Sequence, residues 1–297
     1  MPAKARSDRN DIAIVGPGTL GSALARALHG AGCRVAEIIA RDDRQSLRRA
    51  GTVARKIESS ATTTARAEFS ARVIWICVPD DSISQVAAQI ADDRDWSRKI
   101  VVHSSGALSA TVLSAFKAQG AEIASAHPLM TFVLDSAPNF SGVPFALEGD
   151  TKALTMIAAL VRRIGGTPFR IPARAKAAYH AFGFFSSPAL AALVAAAEQV
   201  GAFAGLDARR CRELMEPIVR QTIDNCFRTT PQQAFSGPLR RGDVATVRKH
   251  LDVLSSHPDL LALYRSLARI ALSELPVANR EELERAIGNG TIHADKH

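Results

Sequence analysis

Up to Pro172, short apolar runs alternate with amphipathic stretches; beyond it the short runs stop. Residues 11–15 (DIAIV) form an apolar run ending in glycines, and 19–30 then carries Leu20, Leu24, Ala27 and Leu28 at helical spacing. Residues 35–40 predict a second strand and 45–50 a short helix. The run 72–78 (RVIWICV) is continuous and rich in β-branched residues, as in a strand buried on both faces of a parallel sheet. Pro79 ends it, and Asp80, Asp81 and Ser82 offer capping oxygens to a helix reaching Ile90. Further strands are predicted at 99–103, 122–126, 143–147 and 168–171, with helices at 108–117 and 151–164. Such alternation predicts a doubly wound α/β domain with a mostly parallel sheet.

After Pro172, Ala/Leu-rich helical periodicity covers 173–206 and 208–227. Breakers cluster at Thr230-Pro231 and Ser236-Gly237-Pro238, and further helices are predicted at 244–254 and 259–272. The chain is thus expected to divide into an α/β domain, 1–172, and an all-helical domain, 173–297, with a loose tail from Asn289.

Glycines sharpen the reading of the first domain. Gly16-Pro17-Gly18-Thr19-Leu20-Gly21 matches GxGxxG between a predicted strand and a predicted helix, the setting of a Rossmann dinucleotide site. Gly16 permits the tight turn, Gly18 lets the backbone approach a pyrophosphate, and Gly21 lets helix and strand pack closely. The helix start then offers free N–H groups to the phosphates. An NAD site places Asp or Glu at the end of the second strand, where this chain has Ile39-Ala40-Arg41. Arg41 there favours a 2′-phosphate and hence NADP, with Arg44 as a second contact; either arginine is otherwise a solvated surface charge. The ends of later strands also face a ligand in such sheets, which selects Val78, Pro79, His103 and Ser104. His103 either donates a hydrogen bond near the nicotinamide or caps the helix that follows.

Composition changes this picture little. The 297 residues are 47% hydrophobic and carry a net charge of +8, but no long basic run or aromatic-studded basic stripe argues for a nucleic-acid partner. Cys33, Cys77, Cys211 and Cys226 form no CxxC pair and no zinc spacing, which suits a reducing cytoplasm. The start, MPAKARSDRN, lacks the apolar core of a secretion signal. Residues 181–197 carry no charge, yet they fall short of the ~20 residues of a span and contain Ser186, Ser187 and Pro188. A buried or subunit-interface helix is expected there, and no membrane partner.

The chain resembles Rossmann-like proteins with a C-terminal domain of unknown function. These are similar in layout to pyrroline-5-carboxylate reductases and, more distantly, to β-hydroxyacid dehydrogenases. The resemblance runs over nearly the whole chain and rests on GPGTLG at 16–21, ICVPDD at 76–81, VHSSGALS at 102–109, AHPLMTF at 126–132, K-x-x-Y-H at 176–180 and GPLRRGD at 237–243. It implies a nicotinamide-dependent reductase whose helical second domain builds a homodimer. In β-hydroxyacid dehydrogenases a K-x-x-x-N helix supplies the acid/base lysine, and the matching positions are Lys176 and His180. His stands here in place of that Asn, and Ser187-Pro188 in place of the Ser-Asn of closer relatives.

The implied reaction transfers hydride to or from a small carbonyl, imine or hydroxy compound. A proton must then quench the heteroatom, and a buried lysine or a histidine suits that task. Lys176 and His180, four apart, share a helix face; alternatively Lys176 is a surface charge and His180 a buried, satisfied histidine. His127, ending a strand at the same sheet edge, either bounds the substrate pocket or makes a structural turn. Tyr179 points about 100° away from His180 and is expected to pack. The 237–243 loop, with Arg241, either closes over a substrate or turns the chain. A non-catalytic dinucleotide sensor or assembly subunit is the alternative function.

Overall fold

The computed structural model describes residues 11–91, 94–131 and 139–288. The polar leader, Phe132 of the AHPLMTF motif and the tail from Asn289 lie outside the described residues.

Eight strands form one sheet: β1 (Ile12–Val15), β2 (Val35–Ala40), β3 (Ser60–Thr63), β4 (Val73–Ile76), β5 (Ile100–His103), β6 (Glu122–Pro128), β7 (Pro144–Gly149) and β8 (Thr167–Arg170). Their order is β3-β2-β1-β4-β5-β6-β7-β8. Every neighbouring pair is parallel except β6 with β7. The doubly wound, mostly parallel sheet expected from the sequence is therefore present. In register, Val15 pairs with Ile76, Ile76 with His103 and His103 with Ser125, so the carboxyl ends of four strands form one edge.

Helices α1 (Thr19–Gly30), α2 (Arg44–Lys56), α3 (Asp80–Ile90), α4 (Ser114–Ala118) and α5 (Thr151–Arg163) connect the strands, with a 3-10 turn at Ala110–Leu113 before α4. Successive strand residues face opposite sides of the sheet. Ile12 and Ile14 therefore pack with Leu24, Leu28, Leu154 and Ile157 of α1 and α5. Ala13 and Val15 join Ile83, Leu113 and Phe116 on the other side. Both layers are desolvated, and truncating Leu24 or Ile157 to Ala would cost about 2–5 kcal/mol.

Two compact units divide at Met1–Ala189 and Leu190–His297. Strands end near residue 170 as expected, but the first unit continues through α6 (Lys176–Ser186), because Lys176 and Tyr179 of that helix are buried in it. The second unit holds most of α7 (Pro188–Phe203), then α8 (Ala208–Arg228), the one-turn α9 (Pro231–Ala234) and α10 (Pro238–Arg241), α11 (Val244–Leu254), α12 (Pro258–Glu274) and α13 (Arg280–Ile287). Val247, Leu251, Leu272, Leu283 and Ile287 form its core.

The apolar stretch Ala173–Phe203 is long enough to cross a membrane by length and composition alone. It is not one helix: Ser187 separates α6 from α7. The 16 residues of α7 reach ~24 Å at 1.5 Å per residue, short of a ~30 Å hydrocarbon core. The expectation of burial also fails within the single chain, since α7 has no buried residue.

Candidate functional site

Loops at the carboxyl edge of the sheet, together with α6, build the site. At the first βα turn Gly16 has φ +97°, and a Cβ there would stand 2.7 Å from the Cys77 carbonyl oxygen. A Cβ on Gly21 would collide with Gly16 O, so α1 can pass this close to the turn only without a side chain. Gly18 differs, because its Cβ would meet nothing within 4 Å. It caps α1 without any side-chain hydrogen bond, and no acidic residue stands in the first turn. The N–H groups there are thus free to receive an anion. Gly16, Pro17 and Gly18 line a cavity of about 540 Å³, while Thr19 and Leu20 begin the helix.

Arg41, Ser46, Arg49 and Thr64 also line that cavity. Arg41 is exposed, and its Nε donates to Asp43 Oδ2 at 2.7 Å and to Ser46 Oγ at 3.2 Å. Both Nη groups keep no partner among the described residues. Asp43 accepts the Ser46 amide as N-cap of α2, and this bond holds its pKa down at about 2. Arg44, the first residue of α2, does not line the cavity. Arg49 does, and was missed; its spacing of three from Ser46 on one helix face was the available signal.

Val78 and Pro79 line the cavity, whereas His103 and Ser104 turn inward. His103 is fully buried; its Nδ1 accepts the Ser105 amide and its Nε2 lies 3.2 Å from Ser109 O. Burial first, then the Lys176 charge, hold its pKa down at about 4. Both nitrogens are spent on shaping the 103–109 loop, so no donor is left for a nicotinamide. Ser104 Oγ accepts the Trp75 indole N–H at 2.8 Å. Asp80 makes no cap hydrogen bond for α3 and instead accepts from Ser105 Oγ at 2.6 Å. That oxygen in turn accepts the Ala107 and Leu108 amides.

The same loop presents Gly106, over which two imidazoles converge. A Cβ there would stand 2.7 Å from His180 Cδ2 and 2.9 Å from His127 Nε2. Ser125 and His127 are two apart on β6 and share a face; Lys176 and Tyr179 are three apart on α6 and meet them. Lys176 Nζ donates to Ser125 Oγ and Ser105 O, both at 2.6 Å, and the residue is 2% exposed. Burial pushes its pKa down to about 8 against the opposing pull of Glu148 and Asp80. His127 Nδ1 lies 2.9 Å from Tyr179 Oη. Burial, followed by the charges of Lys176 and His180, keeps the His127 pKa down at about 4. His180 is exposed. The lysine is therefore the interior group and the histidine the open one, while Tyr179, expected only to pack, is bonded to His127.

The 237–243 segment is committed locally in the second unit. A Cβ on Gly242 would lie 2.8 Å from Ala278 O, Arg240 Nη1 donates to Pro276 O, and Asp243 caps α11 through Thr246. Arg241 is exposed. No group of three or more metal-ligating side chains occurs among the described residues. A larger cleft of about 1220 Å³ involves Asp11, Arg72, Ile100 and Glu122. These stand at the amino ends of the strands, away from the edge where doubly wound sheets bind ligands.

Residues 2–128 match the Rossmann-like domain family, and residues 143–271 match the domain of unknown function DUF2520. The chain thus carries a Rossmann-like domain followed by a DUF2520 domain. No curated protein matches it. Among solved structures it is similar to a Thermotoga maritima protein at 26% identity, with 92% of this chain and 98% of that one covered and a TM-score of 0.70. A candidate NADP oxidoreductase from Bacteroides fragilis is 21% identical over 88% and 96% of the two chains, TM-score 0.71. A pyrroline-5-carboxylate reductase from Coxiella burnetii is 17% identical over 93% and 99%, TM-score 0.58. These likenesses extend over both parts of the chain, as the sequence motifs implied.

Proposed function

We propose that this DUF2520 protein is an NADP(H)-dependent oxidoreductase acting on a small carbonyl, imine or hydroxy compound. One observation carries the reading: the open glycine turn and the Arg41 Nη groups, which have no partner among the described residues, share a cavity on the same sheet edge as the imidazoles over Gly106. NADP(H), when bound, supplies or accepts the hydride. Gly16–Gly18 and the start of α1 would hold its diphosphate, and Arg41 and Arg49 its 2′-phosphate. The likeness to a candidate NADP oxidoreductase from Bacteroides fragilis and a pyrroline-5-carboxylate reductase from Coxiella burnetii supports the same class.

His127 and His180 then take the substrate heteroatom. His180, open to solvent, is placed to exchange a proton with it, a role suited to imidazole. Lys176 holds the Ser105–Gly106 backbone from below. We further propose a cytoplasmic homodimer with no nucleic-acid or membrane partner. Phe182 and Phe185 on α6, and Ile218 and Phe227 on α8, are exposed apolar residues that a second copy would cover. Light scattering after gel filtration reads that directly; a monomer would end the dimer proposal.

The catalytic reading is tested with purified protein and NADPH against cyclic imines, keto acids and aldehydes. Turnover lost in His180→Ala with NADPH affinity intact supports it. Tight NADPH binding without turnover on all three classes would favour a dinucleotide sensor.

A further inference from the structure

We infer that Tyr179 is a positioning residue that fixes the tautomer of His127, so that the imidazole presents Nε2–H to the space above Gly106. The inference deepens the oxidoreductase reading and rests on it for its catalytic consequence, though not for the tautomer itself.

Hydrogen-bond accounting in a buried place decides the tautomer. Tyr179 is 8% exposed, and among the described residues its Oη has a single partner, His127 Nδ1 at 2.9 Å. If Nδ1–H donated to Oη, the phenol hydrogen would be left buried with no acceptor. If the phenol donates to Nδ1, its buried hydrogen is used, and the imidazole proton must sit on Nε2, which faces the open space above Gly106. Burial pushes the phenol up to about 12, so it remains a donor across the working range.

Packing keeps the pair aligned. The two rings meet edge-on at 84°, and Phe169 lies against Tyr179 with centroids 6.1 Å apart. One turn earlier on α6, Lys176 is tied to Ser105 and Ser125. Gly106 completes the arrangement, because a Cβ would stand 2.9 Å from Nε2 and close the space the donor faces. The charged or titratable groups around His127 are Tyr179, Lys176, His180 and Asp80, and the ring is neutral near pH 7.

A neutral N–H donor selects its partner. It stabilises a lone pair that gains negative charge as hydride reaches the adjacent carbon. That suits a carbonyl oxygen or a neutral imine nitrogen. An iminium nitrogen has no lone pair to offer, so ketone, aldehyde and unprotonated imine are the substrate classes that fit.

The tautomer is read by long-range 1H–15N correlation on protein labelled at histidine, with His127→Gln identifying the signals. The wild type at pH 7 should show Nδ1 unprotonated and Nε2 protonated. Tyr179→Phe keeps the packing ring and should shift His127 to a mixture, while His180→Asn should leave the pattern unchanged. With a turned-over substrate, Tyr179→Phe should lower kcat about tenfold or more without altering NADPH affinity. A wild-type His127 carrying its proton on Nδ1, or a Tyr179→Phe protein with an unchanged tautomer, overturns the inference. The expected spectra without turnover of any carbonyl or imine would instead sink the oxidoreductase reading and leave the positioning role standing.

Discussion

Arg41 Nε and Asp43 Oδ2 sit 2.7 Å apart, and the other oxygen of Asp43 holds the Ser46 amide at the start of α2. This carboxylate therefore orients the arginine by its Nε and leaves the Nη edge without a partner among the described residues. Arg41→Ala should raise the Kd for NADPH about ten- to a hundredfold, the worth of one or two charge-assisted hydrogen bonds. NADH affinity should hardly change. Arg49→Ala should act in the same direction, and Arg44→Ala should stay within about twofold. Calorimetry with both coenzymes reads all three, and an unaltered NADPH/NADH ratio in Arg41→Ala would remove this arginine from the site.

Gly16 and Gly18 are predicted to fail in different ways. Gly16→Ala forces a Cβ to 2.7 Å from Cys77 O at φ +97°, so the turn itself must move and the melting temperature should fall by several degrees. A Cβ on Gly18 meets nothing within 4 Å, so Gly18→Val should leave the fold intact while its side chain occupies the diphosphate's place. Its thermal melt should match wild type and its coenzyme binding should be lost. Normal NADPH binding by Gly18→Val would place the diphosphate elsewhere.

The first unit was legible because fully buried parallel strands write themselves as unbroken apolar runs, and GxGxxG sits where a strand meets a helix. What escaped depends on contacts between distant segments. β3 reads SATT and lies at the sheet edge, half exposed, so no apolar pattern marks it. Gly51 reads as a breaker, yet α2 continues through it because Ala50, Val53 and Ala54 bury against the sheet. Helical geometry correctly turned Tyr179 away from His180, but only the fold brings His127 of β6 to meet it. The inward turn of His103 follows from Ser109 O and the Ser105 amide, neither of which a single strand end announces.

His103 should make the protein acid-sensitive. Its pKa is about 4 in the folded protein and about 6.5 unfolded, so between those values the unfolded chain binds more protons. Stability tied to this residue is complete above about pH 6.5 and drains away as pH falls towards 4, by about 3 kcal/mol at most. His127 titrates in the same direction. Urea midpoints at pH 7 and pH 4.5 measure the loss, and His103→Gln should shrink the difference although it starts less stable. An equal acid loss in that variant would assign the effect to other groups.

Lys176 should act with the same sign on the alkaline side. Folded, it releases its proton near pH 8; unfolded, it holds the proton to about 10.4. The unfolded chain again binds more protons in this window, so stability rises with pH from about 8 to 10.4, by about 3 kcal/mol at most. Lys176→Met removes the buried charge, and Ser125 Oγ still donates to Ser105 O at 3.2 Å, so no serine is left stranded. The variant should be at least as stable as wild type at pH 7 and should lose the alkaline rise. Because Nζ is enclosed beneath the loop, kcat should fall about tenfold through misplacement of Gly106. A direct proton donor would cost about 10²–10⁴-fold instead, and a loss of that size with normal stability would return Lys176 to the chemistry itself.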